Sequence, residues 1–179
     1  MRKAIIGVLL ASCFATGMAQ AEDRSATVNI DGIVNGPDEG DCIVLPSSHA
    51  IELSGTIDHL PVQDGSASHV NSIFTIAVVG DELCMEKVNA SQIGLKFSGT
   101  LDDANGTVLA NTDTSAGAAK GVGIGLYEPD GSPRNINTYH VVVTNERLVN
   151  LGLKMVQLNG RTPEAGTVHG ALTIEIERL

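Results

Sequence analysis

Six short runs rich in Val, Ile, Leu and Thr recur along the chain between clusters of Gly, Pro, Asn and Asp. They are SIFTIAVV (72–79), QIGLKFSG (92–99), GVGIGLYE (121–128), INTYHVVV (136–143), RLVNLGLKMV (147–156) and GTVHGALTIEIE (166–177). Runs of this length and residue type, bounded by turn formers, predict strands, and their spacing predicts an all-β antiparallel sandwich. No segment shows a helical stripe with caps at both ends. Turns are marked by Asp130-Gly131, by Asn105-Gly106 and by the loops around Pro133 and Pro163. With three Phe, two Tyr and no Trp, the space between the sheets has to be filled mainly by aliphatic side chains.

The first residues, MRKAIIGVLLASCFATGMAQA, combine Arg2 and Lys3 with an apolar run from Ala4 to Phe14 and a small-x-small site at Ala19-Gln20-Ala21. Residues 1–21 therefore read as a secretory signal peptide. Leu10-Ala11-Ser12-Cys13 offers a second reading, a lipoprotein cleavage box in which Cys13 would become a lipid-bearing N-terminus. The apolar run that continues past Cys13 and the conventional site downstream favour removal of Cys13 with the signal. Cleavage after Ala21 leaves 158 residues, about one domain, and no later run approaches the roughly 18 apolar residues that a membrane-spanning helix needs. That mature chain has nine basic against 21 acidic residues, a formal charge of −12, which argues against nucleic acid or an anionic membrane as partner.

Removing the signal leaves Cys42 and Cys84. In an exported chain the pair reads as one disulfide, the alternative being two buried free thiols.

Catalytic signatures are absent. Gly121, Gly123 and Gly125 suggest a nucleotide loop, but LYEPDG follows where a helix N-terminus would have to hold the phosphate. They read better as a strand with Val122, Ile124 and Leu126 on one face and bare backbone on the other, open to close approach. The histidines at 49, 59, 69, 140 and 169 form no His-x-His or His-x-x-x-His pair, so they do not supply the clustered ligands of a copper/zinc superoxide dismutase. Asp102, Asp103 and Asn105 carry oxygens that suit a hard cation, but they suit an ordinary acidic turn equally and lack the full spacing of a calcium loop. No Gly-x-Ser-x-Gly is present, and no metal or cofactor is called for.

One feature is left over. ATVNIDGIVNG (26–36) alternates almost perfectly between apolar and polar residues directly after the signal, where a chain end is usually untied. It is followed by FTIAVVGDELC, IGLKFSGTLDDANGTVLA, AAKGVGIGLYEPDGSPRNIN and a terminal AGTVHGALTIEIERL. In this order and spacing the chain resembles a chaperone–usher fimbrial subunit of the type 1 pilin kind, over essentially its whole mature length.

The resemblance implies an immunoglobulin-like sandwich that is incomplete, missing its last strand. The resulting apolar groove is filled first by a periplasmic chaperone and then, in the fibre, by the N-terminal extension of the next subunit. It implies a signal at 1–21, a donor-strand extension at 22–33 and a pilin domain at 34–179. Ala26, Val28, Ile30 and Gly32 would point into a neighbour's groove, while Leu172, Ile174 and Ile176 would border this subunit's own. Ile33 and Val34 would begin the domain's own first strand. The implied partners are neighbouring subunits, the chaperone and an outer-membrane usher. The implied destination is a surface fimbrium that supports cell adhesion.

Three departures favour a minor subunit over a shaft pilin. Ala26 stands where many pilins have Gly, Ile176 followed by Glu-Arg-Leu replaces the usual penultimate Tyr, and the link NGPDEGD is about three residues long beyond the usual. The alternative readings are a sugar-binding adhesin, which would need about two domains' length, and a periplasmic metal-dependent enzyme on a dismutase-like sandwich.

Overall fold

The computed structural model describes residues 26–32, 40–67, 69–70 and 72–179. The signal, Cys13, Ile33, Val34 and most of the NGPDEGD link lie outside the described residues. The strands are β1 (Ala26–Gly32), β2 (Cys42–Pro46), β3 (Ala50–Leu53), β4 (Ser72–Gly80), β5 (Ile93–Gly99) and β6 (Leu109–Ala110). They continue with β7 (Val122–Tyr127), β8 (Pro133–Arg134), β9 (His140–Val142), β10 (Leu148–Gln157) and β11 (Val168–Arg178). One sheet has the order β3-β1-β11-β5-β9, and the other β2-β4-β10-β7-β6 with β8 attached to β7. The all-β sandwich expected from the sequence is the fold observed.

The period-2 alternation of the longer runs becomes the core. Phe74, Ile76 and Val78 of β4, Val149, Leu151, Leu153 and Met155 of β10, and Ile124 and Leu126 of β7 face Ile93, Leu95 and Phe97 of β5 and Leu172 and Ile174 of β11 in one buried cluster. Burial of each large aliphatic side chain contributes roughly 1.5–3 kcal/mol, so this cluster is the main source of stability. β7 is buried along both faces. The close approach anticipated at its glycines comes from the chain itself, since a Cβ at Gly123 would lie 2.8 Å from the Leu109 carbonyl oxygen and 2.9 Å from a Leu158 methyl. Ala67, Val108, Tyr127, Val156 and Leu158 form a smaller apolar cluster there.

Two elements differ from the sequence-based expectation. Glu82–Asn89 form a helix, α1, where none was expected. Its buried stripe is only Cys84 and Val88, one turn apart, so the periodicity is too brief to register. It is fixed instead by the Asp81 side chain, which accepts from the Cys84 N–H at 2.8 Å, and by the Cys42–Cys84 disulfide, with a Cα–Cα distance of 5.3 Å. Gly80 makes the approach possible: a Cβ there would fall 2.1 Å from the Asp41 carbonyl oxygen. The run INTYHVVV yields only the three residues of β9, because Asn137 adopts φ 68° and its side chain accepts from the Gly99 N–H at 3.1 Å. A short polar side chain that tolerates the left-handed region has turned the first half of that run into a loop.

The disulfide closes a loop of 42 residues between the first strand of one sheet and the helix. Replacing both cysteines by Ser is expected to lower the unfolding free energy by about 2–4 kcal/mol, read by urea titration. An unchanged midpoint would show that the α1 packing holds this corner without the bond.

Candidate functional site: the slot beside β11

β11 is the longest strand, and its two edges are served differently. On one side, residues 172–178 pair antiparallel with β5, while the Asn111 side-chain carbonyl accepts from the His169 N–H and the Thr112 N–H donates to the His169 carbonyl. On the other side, residues 168–174 pair with β1, in parallel. β1 also pairs antiparallel with β3, placing Ala26 opposite Leu53 and Val28 opposite Ile51. Among the described strands β3 joins its sheet only through β1. The extension therefore occupies a slot one strand wide whose two walls are not bonded to each other.

The residues singled out from the sequence meet here. In register, Ala26, Val28, Ile30 and Gly32 stand opposite Val168, Gly170, Leu172 and Ile174. Leu172 and Ile174 are fully buried and Ile176 is half-buried against the same core. Ile51 and Leu53 of β3 are buried as well. The walls of the slot are thus made of core side chains, and the alternate positions of β1 fall in line with them. In this single chain the strand that fills the slot is the chain's own. At the far end of β11 the Arg178 guanidinium donates to the Gly40 carbonyl at 2.9 Å, which fixes the start of the second sheet next to the end of the first.

The other candidates have structural employment. Asp102 turns inward and is buried. Its carboxylate accepts from the backbone N–H groups of Ala104, Asn105, Thr107 and Val108 and from the Gln63 side-chain amide, at 2.8–3.1 Å. Gln63, also buried, donates to Thr107 Oγ1 and accepts from the Asn159 N–H, so this one cluster organises the turn that contains Asn105-Gly106. Asp103 points the other way and pairs with Arg161 at an exposed site. His59 bonds to Thr56 and His140 to Glu177. Among the described residues no group of three or more His, Cys, Asp or Glu side chains is placed to hold a metal ion, and no helix is long and apolar enough to cross a membrane.

Burial alone would raise the Asp102 pKa, but the converging N–H groups of Val108, Ala104 and Asn105 and the Gln63 amide outweigh it and hold the carboxyl below its ordinary 3.8. A carboxyl lowered in the folded state contributes stability that is complete above 3.8 and is lost as pH falls through the native value. Asp102→Asn is expected to cost about 2–3 kcal/mol at pH 7, with the gap to the wild type narrowing as the denaturation series moves below pH 3.8. A gap that stays constant down to pH 2 would show that the geometry of the amide, and not the charge, accounts for the loss.

A family model described as "Fimbrial protein" matches residues 56–177, about two thirds of the chain, from the loop after β3 to the penultimate residue of β11. Among solved structures, one described as a Burkholderia pseudomallei antigen and type I fimbria protein is similar to the chain at 15% identity and a TM-score of 0.43, covering 87% of this chain and 93% of that one. No curated protein matches the sequence.

Proposed function

This chain belongs to the fimbrial protein family, and we propose that it is a pilus subunit that polymerises by donating residues 26–32 to the slot of a neighbouring copy or a related subunit. The observation that carries the reading is the position of β1 between β3 and β11, where it supplies ladder partners to two strands that do not bond to each other. Nothing covalent ties that ladder to its own chain beyond one link, so the same seven positions on another subunit satisfy the same backbone groups and cover the same core side chains. Donor segment and slot are different surfaces, so repetition is head to tail and yields a filament.

Once β1 is withdrawn for donation, the slot requires a substitute. A subunit with β1 withdrawn exposes the backbone edge of β11 and the buried side chains Ile51, Leu53, Leu172 and Ile174. A periplasmic chaperone that lends a strand, and an outer-membrane usher that replaces it with the next subunit, fit this requirement and the secretory signal. Family membership indicates a structural subunit and not an enzyme. Ala26 in place of the common Gly, and Ile176 near the C-terminus, support a minor position in the fibre.

The test is deletion of residues 22–33. The truncated subunit is expected to be recovered from the periplasm bound to its chaperone and to be absent from the body of the fibre. Truncated subunits found at interior positions in purified fibres would refute the exchange.

A further inference from the structure

In the second sheet, β10 loses its neighbour for a short stretch on one side. β4 reaches only as far as Ser72, opposite Leu153. The chain returns to that edge where the Gln157 N–H donates to the Pro61 carbonyl and the Gln157 carbonyl accepts from the Gln63 N–H. Successive residues of a strand present their N–H and C=O groups to alternate edges. Met155, midway between Leu153 and Gln157, therefore presents its pair to this same edge, and no described strand stands beside it there. The opening is a cleft of about 290 Å³, at the lower end of the range for small-molecule sites.

The lining of the cleft selects among ligands. Leu60 and Met155 give it apolar surface, closely packed beside Gly55, where a Cβ would lie 3.1 Å from the Met155 Cε and 3.3 Å from a Leu60 methyl. Ser54 and Thr56 add hydroxyls and His59 an imidazole, with Thr56 Oγ1 and His59 Nδ1 2.8 Å apart. Lys154 adds the cation. Its ammonium donates to the His69 carbonyl at 2.6 Å, which engages one of its three protons. No carboxylate lines the cleft, and among the described residues Lys154 makes no ion pair, although the chain has 21 acidic residues against 11 basic ones.

We propose that this cleft binds a monosaccharide that carries a carboxylate, such as a uronic acid at the end of a glycan. The carboxylate meets the Lys154 ammonium in a charge-assisted bond. Ring hydroxyls meet Ser54, Thr56, His59 and the open backbone groups of Met155, while the C–H face of the ring lies on the Leu60 and Met155 side chains. A neutral sugar would leave the cation unpaired and would find no carboxylate to accept from its hydroxyls. A peptide strand fits poorly, because the gap between the bonded residues Leu153 and Gln157 opens one residue of backbone. The site stands on the cleft alone. Its use rests on the pilus reading, since a fibre repeats a weak site many times and gains avidity.

The test is NMR titration of the monomeric chain from residue 22 onward with sodium glucuronate, glucose and sodium acetate. Glucuronate is expected to shift the amide signals of Ser54, Gly55, Thr56 and Met155 together, with a Kd of about 1 mM, as ligand efficiency allows for a molecule of about 13 non-hydrogen atoms. Glucose and acetate each lack half of the recognised chemistry and are expected to bind at least about tenfold more weakly. Lys154→Gln keeps a donor for the His69 carbonyl and is expected to weaken glucuronate binding by about tenfold. Amides that stay unmoved at glucuronate concentrations well above that Kd would overturn the site. Glucose bound as tightly as glucuronate, or a Lys154→Gln chain with unchanged glucuronate affinity, would overturn the role of the charge. Acetate bound as tightly as glucuronate would show an adventitious ion only. None of these results touches strand exchange, which the deletion of residues 22–33 tests separately.

Discussion

The backbone ladder between β1 and β11 is the interaction on which the rest of the first sheet depends. β3 is only four residues long and lies at the sheet edge, so without β1 it has no strand to bond to, and Ile51 and Leu53 lose their place against the core. β11 loses one complete edge over residues 168–174. Removing a single seven-residue segment therefore opens a trench from the surface to the fully buried Leu172 and Ile174. A protein built this way cannot be indifferent to what fills the trench, because unmet backbone groups and exposed core side chains are penalised together. The same constraint explains why a detachable strand is useful: whatever replaces it meets both requirements at once.

The remainder of the sandwich is held by contacts that do not depend on that strand. The second sheet is antiparallel throughout its strand ladders and contributes most of the aliphatic core from β4, β7 and β10. The disulfide joins β2 to α1 beside the Arg178–Gly40 contact, and so secures the corner where the link from β1 enters the domain. At the other end the Asp102 carboxylate gathers four backbone N–H groups and the Gln63 amide, which ties the 102–108 turn to β10's exit at Asn159. These are local, short-range devices that do not involve residues 26–32.

Much of this was legible in the sequence wherever a residue pattern was long enough to carry a period. β4, β5, β7, β10 and β11 coincide closely with runs of alternating or continuous aliphatic residues, and the pair Cys42 and Cys84 is a disulfide in the fold. The short pieces were not legible. β2 and β3 are five and four residues with no turn dipeptide between them, and α1 has two buried positions and depends on a cap and a disulfide. The 136–139 segment has apolar and β-forming residues, but the backbone at Asn137 is left-handed and the strand begins only at His140. The site was half legible. Alternation at 26–32 marked a strand, and alternation at 172–176 marked its wall, yet nothing in either pattern specifies direction, because period-2 alternation over an odd number of residues reads the same both ways. The parallel sense is given only by the fold.

The central claim is that in the fibre the strand beside β11 belongs to another chain. Fibres assembled from an equal mixture of subunits labelled with nitrogen-15 alone and with carbon-13 alone would decide it by solid-state NMR. Contacts between nitrogen-15 amides of residues 168–174 and carbon-13 sites of residues 26–32, visible only between chains, are the predicted result. Their absence, with the same contacts present in fibres of doubly labelled subunits diluted into unlabelled ones, would show that each subunit keeps its own strand and would contradict the account.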